Sequence, residues 1–228
     1  DKLRTLAESP RQRGGDSKVL RATRPWAYFP TQEFADLYNA EEIPEYANFR
    51  DDLKTKPEIY RSEGNYPLSK GGKIIVPNPL PWSEWQKVIS RAYAQITMID
   101  AAGGTILDTL DELGLADNTI VIWTTDHGDA LGCHGGHFDK RSYMPEEMVR
   151  IPMTIRWPGV IPAGQRSDRL VSNIDLAPTI LGAAGSAFKD EVHGTSLLPL
   201  ATGESAHWRD DLMCETHGHV EDHIGRLL

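Results

Sequence analysis

The chain has 228 residues, of which 39% are hydrophobic and 25% are charged, which allows a sizeable buried core and argues against wholesale disorder. Acidic residues outnumber basic residues by 33 to 24, and the net charge of −9 argues against DNA or another polyanion as the partner. The two cysteines exclude a disulfide-rich scaffold, and no apolar run is long enough to span a membrane.

The first half of the chain changes character near Pro81. Residues 25–81 are rich in proline and aromatic residues, which predicts packed loops with one or two helical turns near Thr31–Asn39. Apolar residues then recur in steps of three and four over 85–113, which is the period of a helix. Gly103 and Gly104 interrupt this apolar pattern and predict a close packing contact or a bend. Gly114 predicts the C-terminal end of the helix.

The second half alternates strands and helices. Residues 118–125 form a β-branched run that is apolar on both faces, as in a buried strand of a parallel sheet. Residues 151–157 and 211–215 read as further strands, and residues 173–182 as a short helix with Asp175 as a cap near its start. This order predicts an α/β fold.

A polar, glycine-rich stretch follows the first strand directly, where ligands bind in open α/β sheets. Asp126 offers a carboxylate oxygen and His127 a ring nitrogen, and both suit a divalent cation, although two donors do not complete a coordination shell. Lys140 could supply a positive charge to an anionic substrate. A plain turn at the end of the strand explains Asp126, His127 and Gly128 about equally well.

Other histidines offer weaker candidates. His134 and His137 could be ordinary loop residues. His217, His219 and His223 resemble a metal site by composition, but their spacing is loose and favours surface or packing roles.

Five blocks of the sequence, in this order and spacing, resemble the sulfatase family of the alkaline phosphatase superfamily. These blocks are Tyr93 to Leu110, the segment DNTIVIWTTDHG ending at Gly128, Lys140, the segment RIPMTIRWPG from Arg150, and DLAPTI from Asp175. Segments at 34–44 and 214–218 also look like sulfatase sequence.

The resemblance implies an alkaline-phosphatase-like α/β/α sandwich that is incomplete here, because the family's N-terminal strands are missing. Residues 1–200 would be part of the catalytic domain, and residues 201–228 the start of a small C-terminal subdomain. The family is usually about twice this length, so we expect the chain to be cut at both ends.

The same resemblance implies a sulfuric ester hydrolase. Asp126 and His127 would be ligands of one divalent cation, usually Ca²⁺, and Lys140 would be catalytic by contacting the sulfate. His137 is a further candidate for substrate binding. The substrate would be a sulfated small molecule or glycan, and the resemblance favours a periplasmic, secreted or lysosome-like location.

The family's nucleophile is a formylglycine made within a Cys/Ser-x-Pro/Ala-x-Arg motif, and the chain lacks this motif. Cys133 precedes His-Gly-Gly, Cys214 precedes Glu-Thr-His, and Ser9-Pro-Arg has the wrong spacing. Two alternatives therefore stay open: a phosphonate monoester or phosphodiester hydrolase of the same superfamily, and a remnant without catalytic activity.

Overall fold

The computed structural model describes residues 28–62, 80–140, 144–204, 207–217 and 225–227. These residues form two compact units. The first contains residues 28–54, 80–102 and 131–137, and the second contains the other described residues. The units are interleaved along the chain, and a domain boundary at residue 200 stays a prediction.

Seven helices occur in the described ranges: α1 (Gln32–Ala35), α2 (Ile59–Ser62), α3 (Trp82–Glu112), α4 (Cys133–Gly136), α5 (Glu146–Val149), α6 (Leu176–Ala183) and α7 (Leu198–Ala201). The 3₁₀ turns are Ala40–Glu42, Ala116–Asn118 and Asn173–Asp175. The strands are β1 (Val121–Thr124), β2 (Met153–Arg156), β3 (Cys214–Thr216) and β4 (Gly225–Leu227). No helix in this part of the chain has both the length and the apolar content to cross a membrane.

Helix α3 confirms the helical period of the sequence and is 31 residues long. It ends where predicted, because Gly114 adopts a left-handed φ of 65° that few other residues accept. At Gly103, a Cβ would lie 2.6 Å from the indole ring of Trp123, so the glycine lets β1 approach the helix. The predicted close contact is therefore confirmed at Gly103, whereas a Cβ at Gly104 would meet nothing within 4 Å.

The core of the first unit is built on the N-terminal half of α3. Trp85 and Ile89 are fully buried, and Val88 is 2% exposed. Ordered loops cover this face, as the proline-rich composition predicts. For example, the Gln86 side-chain amide donates a 2.8 Å hydrogen bond to the Ile43 carbonyl.

Strands β1 and β2 pair antiparallel, with Ile122 opposite Ile155. The prediction that β1 belongs to a parallel sheet is therefore wrong for its pairing with β2. A parallel partner needs a long crossover connection, usually a helix that packs on the sheet. The described residues between β1 and β2 contain only the four-residue helices α4 and α5. Trp123 is 44% exposed, so β1 is also less buried than its composition predicts.

The strand predicted at 211–215 is observed only in part: β3 (Cys214–Thr216) shares residues 214–215 with the prediction and pairs antiparallel with β4. The predicted helical turn near Thr31–Asn39 is confirmed by α1.

Asp175 has the capping role that the sequence predicts. It forms a capping box with Ser172 around the turn 173–175, and its Oδ2 accepts a 2.8 Å hydrogen bond from the Ser172 N–H. The other carboxylate oxygen accepts from the Thr195 N–H at 2.8 Å and from Arg209 Nη2 at 2.6 Å. Asp175 is fully buried and Arg209 is 16% exposed, so the cap is also half of a buried ion pair.

Candidate functional site

The chain turns sharply directly after β1, and the turn is held by its own side chains. Asp126 Oδ1 accepts hydrogen bonds from the His127 N–H at 3.1 Å and from Thr125 Oγ1 at 3.3 Å. These bonds to the following and preceding residues fix the carboxylate at the end of the strand, which is a common use of aspartate in turns.

Gly128 allows the turn to pack against the segment that leads into β2. Its N–H donates a 2.9 Å hydrogen bond to the Met148 carbonyl, and a Cβ would lie only 1.8 Å from the Glu147 carbonyl oxygen. No side chain fits at that distance, so position 128 requires glycine for close approach rather than for an unusual φ.

The ring of His127 bridges the backbone and Lys140. Its Nδ1 lies 2.7 Å from the Gly128 carbonyl oxygen, and its Nε2 lies 3.0 Å from Lys140 Nζ. A carbonyl only accepts and an ammonium only donates, so this geometry assigns the proton to Nδ1 and the lone pair to Nε2. The same Nε2 lies 3.5 Å from Asp126 Oδ2.

Lys140 returns to this turn through the glycine-rich loop that separates it from His127 in sequence. At the end of the loop the Asp139 N–H donates a 3.1 Å hydrogen bond to Asp129 Oδ1, and Asp139 has a left-handed φ of 65°. The structure thus brings together three of the residues predicted for the site: Asp126, His127 and Lys140.

The Asp126 carboxylate faces solvent, with 82% of its side chain exposed. A hydrogen bond from its own backbone N–H is the main cause that holds the pKa of this carboxyl below its usual value, and His127 and Thr125 add to it. The group is therefore an anion at neutral pH.

These donors fit part of a coordination sphere for a divalent cation. Asp126 Oδ2 and His127 Nε2 lie 3.5 Å apart, and His127 bonds a backbone carbonyl through its other nitrogen, as metal-ligating histidines usually do. Among the described residues, however, no cluster of three or more His, Cys, Asp or Glu side chains suits a metal. The turn offers two candidate donors, and a complete coordination shell needs others.

Asn173 is a residue of this site that the sequence did not single out. Its Nδ2 donates to the carbonyl oxygens of Thr125 and Asp126, at 3.2 and 3.5 Å. Two acceptors on one side fix the orientation of the amide, and the Oδ1 atom is buried with no hydrogen-bond partner in the described ranges. Asn173 follows Asp126 by 47 residues, so only the fold could reveal the contact.

The other candidate histidines lie elsewhere. His137 belongs to the first unit, is 2% exposed, and contacts the His134 carbonyl through Nδ1. His217 pairs with Glu215 beside β3, whereas His219 and His223 lie outside the described residues. A substrate-binding role for His137 stays a prediction.

Comparison with known protein families identifies the family of this chain. A sequence model of the sulfatase family matches residues 35–186, which is more than half of the chain. The chain belongs to the sulfatase family. The match contains the turn after β1, Lys140 and Asn173.

Individual relatives agree with this assignment. The chain is 39% identical over 129 residues to an N-acetylglucosamine-6-O-sulfatase of Bacteroides thetaiotaomicron, and the match covers 55% of this chain and 23% of the relative. The chain therefore spans only about a quarter of the length of this curated sulfatase.

Solved structures confirm the alkaline-phosphatase-like α/β fold class. One is a complex of a protein with its substrate D-glucosamine-2-N,6-O-disulfate; it has a TM-score of 0.74 and 26% identity, over 88% of this chain and 52% of that chain. Another is the phosphonate monoester hydrolase of Silicibacter pomeroyi, with a TM-score of 0.69 and 26% identity, over 81% of this chain and 37% of that chain.

Proposed function

We propose that the whole protein hydrolyses a sulfate ester and that Asp126, His127 and Lys140 are part of its active site. The observation that carries the proposal is the 3.0 Å contact between Lys140 Nζ and His127 Nε2. His127 directly follows Asp126, whose carboxylate is exposed, and the chain belongs to the sulfatase family. An ammonium that lies beside two candidate cation ligands forms a site for an anion that binds next to a cation.

Each residue has a separate role in this proposal. Lys140 contacts an oxygen of the sulfate and stabilises the negative charge that grows on it in the transition state. Asp126 and His127 would hold a divalent cation, for which Ca²⁺ is our candidate. When bound, the cation would act as a Lewis acid on the sulfuryl oxygens. The formylglycine nucleophile of the family has no counterpart in these 228 residues.

A sulfated amino sugar is the substrate class to test first. One curated relative is named an N-acetylglucosamine-6-O-sulfatase, and one similar structure contains a glucosamine disulfate. A phosphonate monoester is the second candidate, because a hydrolase of that class has a similar fold. We favour the sulfate ester, since the family match is to sulfatases.

For location, we extend the family resemblance to propose that the protein acts outside the cytoplasm, in a periplasmic, secreted or lysosome-like compartment. Fractionation of the native host, with an antibody to residues of α3, tests this proposal directly. Recovery with cytoplasmic markers contradicts it.

The test of the activity is an assay of the whole protein with N-acetylglucosamine 6-sulfate, an aryl sulfate and phenyl phosphonate. Hydrolysis of a sulfate ester is expected, and Lys140→Met should lower kcat by about 10²–10³-fold, as loss of one transition-state donor does. The control is Lys189→Met, an exposed lysine of the same unit, which should leave kcat unchanged. Preferential turnover of the phosphonate, or equal loss in both variants, contradicts the proposal.

A further inference from the structure

We infer that the Lys140 ammonium and a divalent cation exclude each other at His127 Nε2, so that cation binding releases Lys140 to the anionic group of the substrate. The inference rests on the proposed function, because it concerns the same three residues. It adds a step that precedes catalysis: an exchange of partners by the lysine.

The first step of the argument is that His127 has one nitrogen available for a cation. Nδ1 is directed at the Gly128 carbonyl oxygen, 2.7 Å away, and carries the proton. A cation that binds His127 must therefore take the lone pair of Nε2, which also lies 3.5 Å from the second donor, Asp126 Oδ2.

The second step is that Lys140 occupies this lone pair. Its Nζ lies 3.0 Å from Nε2, which is hydrogen-bond distance, and the ammonium has only donors to offer. One sp² lone pair serves a proton donor or a metal ion at one time. Two positive charges on the same nitrogen would also repel each other strongly.

The third step concerns where the released ammonium goes. The Asp139 N–H donates a 3.1 Å hydrogen bond to the Asp129 carboxylate, so the backbone next to Lys140 stays beside the turn. The long, flexible lysine side chain can then turn to a sulfate oxygen without a backbone rearrangement. Cation binding and sulfate binding thereby favour each other, and this linkage is reciprocal.

The exchange predicts two effects for the whole protein with ¹⁵N-labelled histidine and lysine. In chelated buffer, the His127 Nε2 resonance should indicate a hydrogen-bonded acceptor, and Lys140→Met should move it toward the value of a free lone pair. Lys189→Met, an exposed lysine of the same unit, should leave the resonance in place. Lys140→Leu, which has neither the ammonium nor any other hydrogen-bond donor, provides a second variant if Lys140→Met does not fold.

Titration with Ca²⁺ alone then tests exclusion. In the wild-type chain, the His127 Nε2 and Lys140 Nζ resonances should move together, with one common midpoint. Lys140→Met should bind Ca²⁺ about tenfold more tightly than the wild type, which is the value of one net hydrogen bond to a charged group. Lys189→Met should match the wild type.

Three results overturn the inference. These are an identical His127 resonance in the wild type and Lys140→Met before Ca²⁺ is added, a Lys140 resonance that does not respond while His127 binds Ca²⁺, and no response of His127 to Ca²⁺ in either chain. None of these measurements uses turnover. A protein that shows the exchange but cleaves no sulfate ester would refute the proposed function and leave the exchange standing.

Discussion

At the scale of single residues, the turn after β1 depends on a glycine that leaves no room for a side chain. A Cβ at position 128 would lie 1.8 Å from the Glu147 carbonyl oxygen, a backbone atom that cannot rotate away. Asp126 and His127, the candidate cation ligands, precede this glycine directly, so the packing at position 128 affects where their side chains point.

We predict that Gly128→Ala destabilises the protein by about 2–4 kcal/mol, the cost of overpacking against backbone. Gly104→Ala is the matched control. Its Cβ would meet nothing within 4 Å inside helix α3, and alanine is the better helix former, so it should stabilise by about 0.5–1 kcal/mol. Urea unfolding measures both. Equal stability of the two variants would show that the segment containing Glu147 moves aside.

The Asp126 carboxyl provides a prediction in pH. Its folded pKa is lowered from the usual 3.8, first by its own backbone N–H and then by its neighbours. A lowered pKa adds stability that is present above the unfolded pKa and is lost as pH falls through the folded pKa. The effect on stability is small because the side chain is 82% exposed. In an NMR titration without added cation, the Asp126 carboxyl carbon should have its midpoint below 3.8; a midpoint at or above this value contradicts the geometry.

At the scale of elements, helix α6 is anchored by the ion pair between Asp175 and Arg209. The carboxylate is fully buried and lies 2.6 Å from Arg209 Nη2. A buried charge without its counter-ion is costly, so removal of only one partner should strongly lower the stability of the protein.

We predict that Asp175→Asn lowers stability by about 3–5 kcal/mol, as loss of one partner of a buried pair does. In the whole protein, kcat of the correctly folded fraction should change little, because Asp175 bonds Ser172, Thr195 and Arg209 rather than the turn after β1. Thermal melting and active-fraction kinetics measure the two effects. The double variant Asp175→Asn, Arg209→Met should recover part of the stability. A large loss of kcat at unchanged melting temperature would instead indicate a catalytic role.

The elements that the sequence predicts correctly are those set by local rules. The 3.6-residue period and Gly114 determine helix α3, and the β-branched run determines β1. The sequence does not predict the antiparallel pairing of β1 with β2, because the same apolar residues are compatible with a parallel or an antiparallel neighbour.

The site shows the same division between local and long-range information. Asp126 and His127 are adjacent, and Lys140 follows a glycine-rich loop, so their proximity was predictable. Asn173 and Arg209 reach the turn and the cap across 47 and 34 residues, and no short pattern records such contacts.

At the scale of the whole molecule, the chain spans only part of the length of its relatives. Its described residues contain no cluster of three or more side chains that suits a metal, and Asp126 and His127 are only two candidate ligands. A cation such as Ca²⁺ binds tightly only with about 6–8 oxygen donors. A covalent mechanism also needs a nucleophile, and the 228 residues contain no Cys/Ser-x-Pro/Ala-x-Arg motif.

We therefore predict that the purified 228-residue chain has no measurable sulfatase activity and binds Ca²⁺ with only weak affinity. An aryl sulfate assay with Lys140→Ala as the blank, and calorimetry with Asp126→Ala as the reference, test the two parts. Steady turnover above the Lys140→Ala blank would show a complete active site within these residues. Micromolar Ca²⁺ binding that Asp126→Ala abolishes would show a complete cation site.

The pairing of Asp175 with Arg209 also has a consequence for biosynthesis. A ribosome makes the chain from the N-terminus, and Arg209 is added 34 residues after Asp175. Until then, docking of helix α6 would bury a carboxylate without its counter-ion, which is unfavourable. The nascent helix should therefore stay undocked while translation continues, and arrest peptides placed before and after residue 209 should report the docking as a step in pulling force.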